Sequence, residues 1–222
     1  NELEGRNGMS EMPPSERTRV RLAQELGTYD MKVVHEIIDA APTCQVSTIV
    51  DDAPYVQTTA HWRMGDDLYI HGAVKNKAIH AIVKGAQACL SFSHFDGYVL
   101  TRSAFNHTIL YRSVIAYSTG RLIDDLDEKR LALAAFIERI EPGRWETIRQ
   151  PTTNELKQTG VIAFSLGEAS GKVMSREVAP LLLPGGVLED PADADVSPWT
   201  GIRPFVLSEQ DAIASDRLGD PS

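Results

Sequence analysis

The stretch Asp67–Lys84, DLYIHGAVKNKAIHAIVK, decides how the rest of the chain is read. Its first part, Asp67-Leu68-Tyr69-Ile70-His71-Gly72, alternates and is rich in aromatic and β-branched side chains, which predicts a short strand. Ala78-Ile79-His80-Ala81-Ile82-Val83 repeats apolar residues at helical spacing and runs out at Gly85, a residue suited to a helix C-cap. A strand that breaks at Gly72 and enters a helix through Lys75-Asn76-Lys77 makes an anion site. The first-turn amides are left open, the helix dipole adds partial positive charge, and the lysines add full charge. A phosphate is the expected guest. The plainer alternative is two solvated lysines at a helix start.

Upstream, Asp30 can cap a helix whose stripe is Val33, Val34, Ile37 and Ile38, ended by Ala40-Ala41-Pro42. The period then switches toward two. Thr43 to Val50 and Tyr55 to Arg63 read as strands around a turn at Asp51–Pro54, and with the strand ending at His71 they make a three-stranded meander. Downstream, Gln87–His94 and Tyr98–Arg102 read as a hairpin about Asp96-Gly97, and 106–110 as a loop before a long strand, Tyr111–Leu122. Acidic residues from Asp124 open a helix with an apolar face of Leu131, Leu133, Ala134, Phe136, Ile137 and Ile140, stopped by Pro142-Gly143. A short helix near Asn154–Lys157 precedes strands at Gly160–Leu166 and Gly171–Met174. About seven strands with a few helices predict the α+β class, mainly antiparallel β, as a barrel with peripheral helices.

Residues 1–14 are polar, carry no apolar period and are expected to be disordered. Residues 15–207 read as a single domain that includes a loop-rich C-terminal docking segment, Pro198–Phe205, and 208–222 as a polar tail. The chain has 222 residues, 42% hydrophobic and 24% charged, the profile of an ordinary globular domain with a sizeable core. Its formal net charge of −9 argues against nucleic acid or an anionic membrane as the main partner. Cys44 and Cys89 are too few for a disulfide framework or a cysteine zinc site. No apolar run approaches the roughly 20 residues of a membrane span and no secretory signal opens the sequence, so a cytoplasmic location is expected. The six histidines show no HExxH-like spacing, and no metal site is predicted. GxSxG, GxGxxG and GxxxxGK[ST] are all missing, which removes hydrolase-elbow, dinucleotide-fold and P-loop readings. His71, which ends its strand beside the phosphate loop, is the histidine of interest, although a lone strand histidine reads first as structural.

Several short segments together resemble one family. They are Leu68-Tyr69-Ile70-His71-Gly72 with Lys77, Thr101-Arg102-Ser103-Ala104-Phe105-Asn106-His107, and Tyr111-Arg112-Ser113-Val114. Glu141-Pro142-Gly143-Arg144-Trp145, Ala169-Ser170-Gly171-Lys172 and Trp199-Thr200-Gly201-Ile202-Arg203-Pro204 extend them. In order and spacing, from Tyr29 to Pro204, they resemble the pyridoxamine 5′-phosphate oxidase-like split β-barrel flavoproteins, in the branch of the nitroimidazole-resistance reductases. The resemblance implies a homodimer with FMN at the subunit interface. Its phosphate would be held by Lys75, Asn76 and Lys77, and Thr58 and Thr59 would lie along the flavin ring. Arg112 and Ser113 would come from the partner subunit, with Arg102, Trp199 and Arg203 as further contacts. It also implies His71 as an active-site residue, a proton donor in two-electron, nitroreductase-like transfer to a small molecule. Val74-Lys75-Asn76 departs from the family's hydroxyl-rich loop, which leaves deazaflavin or haem as alternatives to FMN. A non-catalytic flavin or haem binding or storage protein is the alternative function.

Overall fold

In the computed structural model of the chain, residues 13–177, 195 and 199–208 are described. The expected disorder of 1–14 therefore falls almost wholly outside the described residues, as do most of the irregular tail after Glu177 and nearly all of 208–222.

The strands form two antiparallel sheets. The large sheet has the order β1 (Gly27–Thr28), β10 (Ala169–Met174), β7 (Thr108–Thr119), β6 (Gln87–Leu100), β2 (Cys44–Val50) and β3 (Ala53–Thr59), with β11 (Gly201–Pro204) also on β6. The small sheet has the order β4 (His61–Met64), β5 (Asp67–Ala73), β9 (Thr159–Ser165) and β8 (Arg121–Leu122). The chain passes from large to small sheet twice, at Ala60 and at Gly120. Gly120 has a steric reason: a Cβ there would stand 2.5 Å from Ile162, 2.6 Å from Ile82 and 2.9 Å from Phe164. This is a split β-barrel with peripheral helices, α+β in class.

The core lies between the sheets. Cys44, Val46, Leu90, Phe92, Val114 and Ala116 of the large sheet meet Leu68, Ile70, Ile162 and Phe164 of the small one. Two helices complete this core. Helix α1 (Met31–Ala40) contributes Val34, Ile37 and Ile38, and Asp30 caps it by accepting from Lys32 N at 2.8 Å. Helix α2 (Lys77–Val83) contributes Ile79 and Ile82, and ends with Gly85 at φ 97°. Gly72 is what lets α2 approach β5, since a Cβ there would lie 2.8 Å from Ile79 Cδ1. Among the described residues no helix is long and apolar enough to cross a membrane.

Four local expectations change. The run Tyr55–Arg63 is two strands, because the chain leaves the large sheet at Ala60, and so there is no simple meander. The Asp96-Gly97 pair is a β-bulge inside one long strand: Phe95 faces Tyr111 and Gly97 faces Leu110 while Asp96 is left over. Gly97 is required there, since Arg203 O of β11 lies 2.6 Å from where its Cβ would be. Part of the expected 106–110 loop already belongs to β7, which starts at Thr108. Helix α3 (Leu126–Ile140), capped by Asp125, turns Leu133 and Phe136 of the expected face inward but not Leu131 or Ile140. Leu131 and Ile140 are exposed, while Lys129 is buried with its Nζ donating to Leu156 O at 3.1 Å and Thr159 O at 2.9 Å. Ala132, Leu133, Ala135 and Phe136 then cover Trp62, Tyr69, Val161 and Ala163 on the outer face of the small sheet.

Candidate functional site

The turn Val74-Lys75-Asn76 joins β5 to α2, and both Lys75 and Lys77 are exposed on it. Asn76 is the N-cap. Its Oδ1 accepts from Ala78 N at 2.9 Å and Ile79 N at 3.2 Å, so two first-turn amides are already satisfied. That corrects the expectation of open helix amides: in a helix of seven residues the two ammonium groups are the cationic donors, and the backbone adds little. The other end of Asn76 reaches across to β3, its Nδ2 donating to Gln57 Oε1 at 2.8 Å. This bond ties the turn to the face of β3 that carries Gln57 and half-buried Thr59, while exposed Thr58 points to the opposite face. β3 is the edge strand of the large sheet, so its outer backbone groups are unpaired by strands. Lys77 also lines a cleft of about 340 Å³ with His80, Lys84, Ile49 and the β2–β3 turn. That turn is a two-residue one, with Asp51 and Asp52 both at positive φ, 51° and 61°.

His71 lies on the other side of β5, away from the barrel core. Its ring sits 4.8 Å from Phe136 and 5.7 Å from Trp62, measured between centroids. Its Nδ1 is buried without a hydrogen-bond partner, and burial lowers the pKa of the ring. The imidazole is therefore neutral near pH 7, which does not suit a resting proton donor.

Arg112 and Ser113 are neighbours in β7 and so point to opposite faces of the sheet. Arg112 is fork-bonded to the bulge carboxylate, with Nε to Asp96 Oδ2 and Nη2 to Asp96 Oδ1 both at 2.8 Å. The guanidinium beside it holds the Asp96 carboxyl below its usual range. This pair faces a cleft of about 600 Å³, bounded by His94, Phe95, Phe205 and, at the end of α1, Ala40 and Pro42. Ser113 pairs with Ser93 and Lys172 on the far face. Arg102 is half-buried just after β6, in the β6–β7 connection. Arg203 is exposed in β11 opposite Tyr98, and Trp199 is exposed just before that strand. The structure thus groups Thr59, Lys75, Asn76 and Lys77 around Gln57, turns Thr58 to the opposite face of β3, and sets Arg102 and Trp199 at another edge of the large sheet. Gln57 and Asp96, which orient members of these groups, were not among the expected site residues. Gln57 gives no signal beyond its place in a strand, whereas Asp96 stands before the glycine that marks the bulge.

A family model for pyridoxamine 5′-phosphate oxidase matches residues 30–173. The chain belongs to the pyridoxamine 5′-phosphate oxidase family. Within solved structures it is similar to the flavocytochrome Anf3 from Azotobacter vinelandii, with 32% identity, a TM-score of 0.84, and 96% of this chain and 95% of that one covered. It is also similar to the FAD and haem binding protein from Mycobacterium smegmatis, at 27% identity, TM-score 0.75, and 89% and 93% coverage. A putative 5-nitroimidazole antibiotic resistance protein from Bacteroides thetaiotaomicron shares the fold, at 21% identity and TM-score 0.56 over 66% of this chain and 86% of that one. No curated protein matches the sequence. The family match ends at residue 173, before β11, whereas the likeness to the flavocytochrome runs through nearly the whole chain.

Proposed function

We propose that this chain binds a flavin and a haem and serves as an electron-transfer protein of the flavocytochrome kind. The observation that carries the reading is the end-to-end likeness to the flavocytochrome, supported by the second near-full-length likeness to a FAD and haem binding protein. Bound cofactors of these types supply two-electron and one-electron chemistry, and the protein supplies position and electrostatics.

The donor set at the β5–α2 turn fits a flavin. Lys75 and Lys77 offer two exposed ammonium groups for a phosphate or pyrophosphate, Thr59 offers a hydroxyl on the Gln57 side of β3 and Thr58 one on the other side, and edge strand β3 offers backbone groups to a ring's amide edge. Asn76 positions this set through Gln57 and is not itself the main anion donor. FAD is the flavin favoured by the second likeness; FMN is the one implied by the family resemblance. A small-molecule electron acceptor remains the expected outlet. The outer face of the large sheet carries exposed Ile49, Val56 and Ile115 among serines and glutamine, a face suited to a second copy and hence to a homodimer.

The test is titration of cofactor-stripped protein with FAD and with FMN, followed by flavin absorbance and fluorescence. The expected result is saturable uptake of at least one flavin, lost in a Lys75→Ala, Lys77→Ala double variant that still folds. Failure of both flavins to bind the parent protein overturns the reading.

A further inference from the structure

If the chain holds a haem, as proposed above, an imidazole is the first ligand to look for. All six histidines lie in the described residues, and their surroundings differ. An axial histidine commonly ligates through Nε2 while Nδ1–H donates to a carbonyl that fixes the ring and its tautomer. His61 has the reverse arrangement: its Nε2 bonds Ile38 O at 2.9 Å and its Nδ1 is sealed in the core. His94 is also reversed, with Nε2 on Ile37 O at 2.9 Å, which leaves only the nitrogen crowded by its own Cβ. Ligation by His71 through Nε2 would strand Nδ1–H in a buried place with no acceptor. His35 is largely buried with Nε2 3.7 Å from Asp66, and His80 stands exposed on α2.

His107 alone among them has the expected arrangement. Its Nδ1 lies 2.9 Å from Ser103 O, and since a carbonyl can only accept, Nδ1 carries the proton and Nε2 the lone pair. Thr101 Oγ1 donates to the same carbonyl at 2.8 Å, and Asn106 N at 3.2 Å, so the β6–β7 connection is tied around the group that aims the imidazole. The side chain is exposed.

The surroundings point the same way. Phe105, two residues before His107, is 93% exposed, and Trp199 is 66% exposed. The register of β11 on β6, Gly201 opposite Leu100, leads Trp199 toward this same connection. The Trp199 ring folds back over Gly201, where a Cβ would meet it at 2.8 Å. Two large aromatic side chains are therefore held in water, one on the connection that orients the imidazole and one on the segment that the β11 register leads toward it. Trp199 belongs to the part of the chain beyond the family match, and that part is shared with the flavocytochrome. We propose that His107 is an axial ligand of a haem seated on the rim formed by Phe105, His107 and Trp199.

The experiment adds haemin to the full-length protein, removes the excess by gel filtration, and records the Soret band. It uses the parent chain, His107→Ala and His71→Ala, with circular dichroism to confirm folding. The proposal expects a retained Soret band in the parent and in H71A, its loss or a clear shift in H107A, and recovery of the parent spectrum when free imidazole is added to H107A. A parent chain that retains no haem refutes the haem part of the proposed function, and this assignment with it. A parent that retains haem with an unchanged band in H107A refutes the assignment alone, as does a band lost only in H71A.

Discussion

Trp62, His71 and Phe136 sit beneath α3, whereas Phe105, His107 and Trp199 stand at the rim of the large sheet, and the two groups of similar composition are built in opposite ways. In the first, the rings touch one another and the histidine has a buried nitrogen without a partner. In the second, the rings face solvent and the histidine is aimed by a carbonyl. Apolar area buried on folding stabilises the fold and is no longer available to a ligand. The closed group thus reads as the packing of the small sheet against α3, and the open group as surface held ready for an occupant.

The largest expected difference between them is in stability. Trp62 is 1% exposed, so Trp62→Ala should cost about 3–5 kcal/mol in urea unfolding. A cost under about 1 kcal/mol would mean that α3 is not firmly packed over the sheet, and the contrast would fail. A smaller effect concerns pH. Burial lowers the pKa of His35, His61 and His71 from 6.5. Below about 6.5 the unfolded chain therefore takes up protons that the fold resists. The stabilisation is full above that pH and is lost as pH falls toward the lowered folded values, by at most about 1.4 kcal/mol per pH unit for each group. Urea midpoints should drop between pH 7 and 5, and His71→Leu should make the drop shallower while changing stability little at pH 7. An equal slope in both proteins would show that His71 is charged in the fold. The smallest effect belongs to the open group: Phe105→Ala should leave the unfolding free energy of cofactor-free protein within about 0.5 kcal/mol. A larger loss would mean that the ring packs in solution.

Much of this was legible in the sequence. The strand that carries His71, the Asp30 cap and the Gly85 terminus follow from local chemistry, and the structure keeps them, although the strand runs on through Gly72 to Ala73 instead of breaking at the glycine. The crossing at Ala60 was not legible, because strand-forming residues run straight through it. Gly120 and Asp96-Gly97 did carry a signal, since glycine inside a strand pattern marks a bend or bulge as readily as a turn. The inner face of α3 was read correctly at Leu133 and Phe136 and misread at Leu131, because Lys129 finds two carbonyls and is buried instead. At the candidate site, the lysine pair was visible, and strand alternation alone separates Arg112 from Ser113. The orientation of His107 was not, because it depends on how Thr101, Ser103 and Asn106 close their connection.

The most direct test of the two-cofactor account is an absorption spectrum of the purified full-length protein after reconstitution with flavin and haemin, with each chromophore quantified per chain. The account predicts flavin bands and a Soret band together, each at one equivalent per chain. A protein that retains only one of the two, or neither, contradicts it.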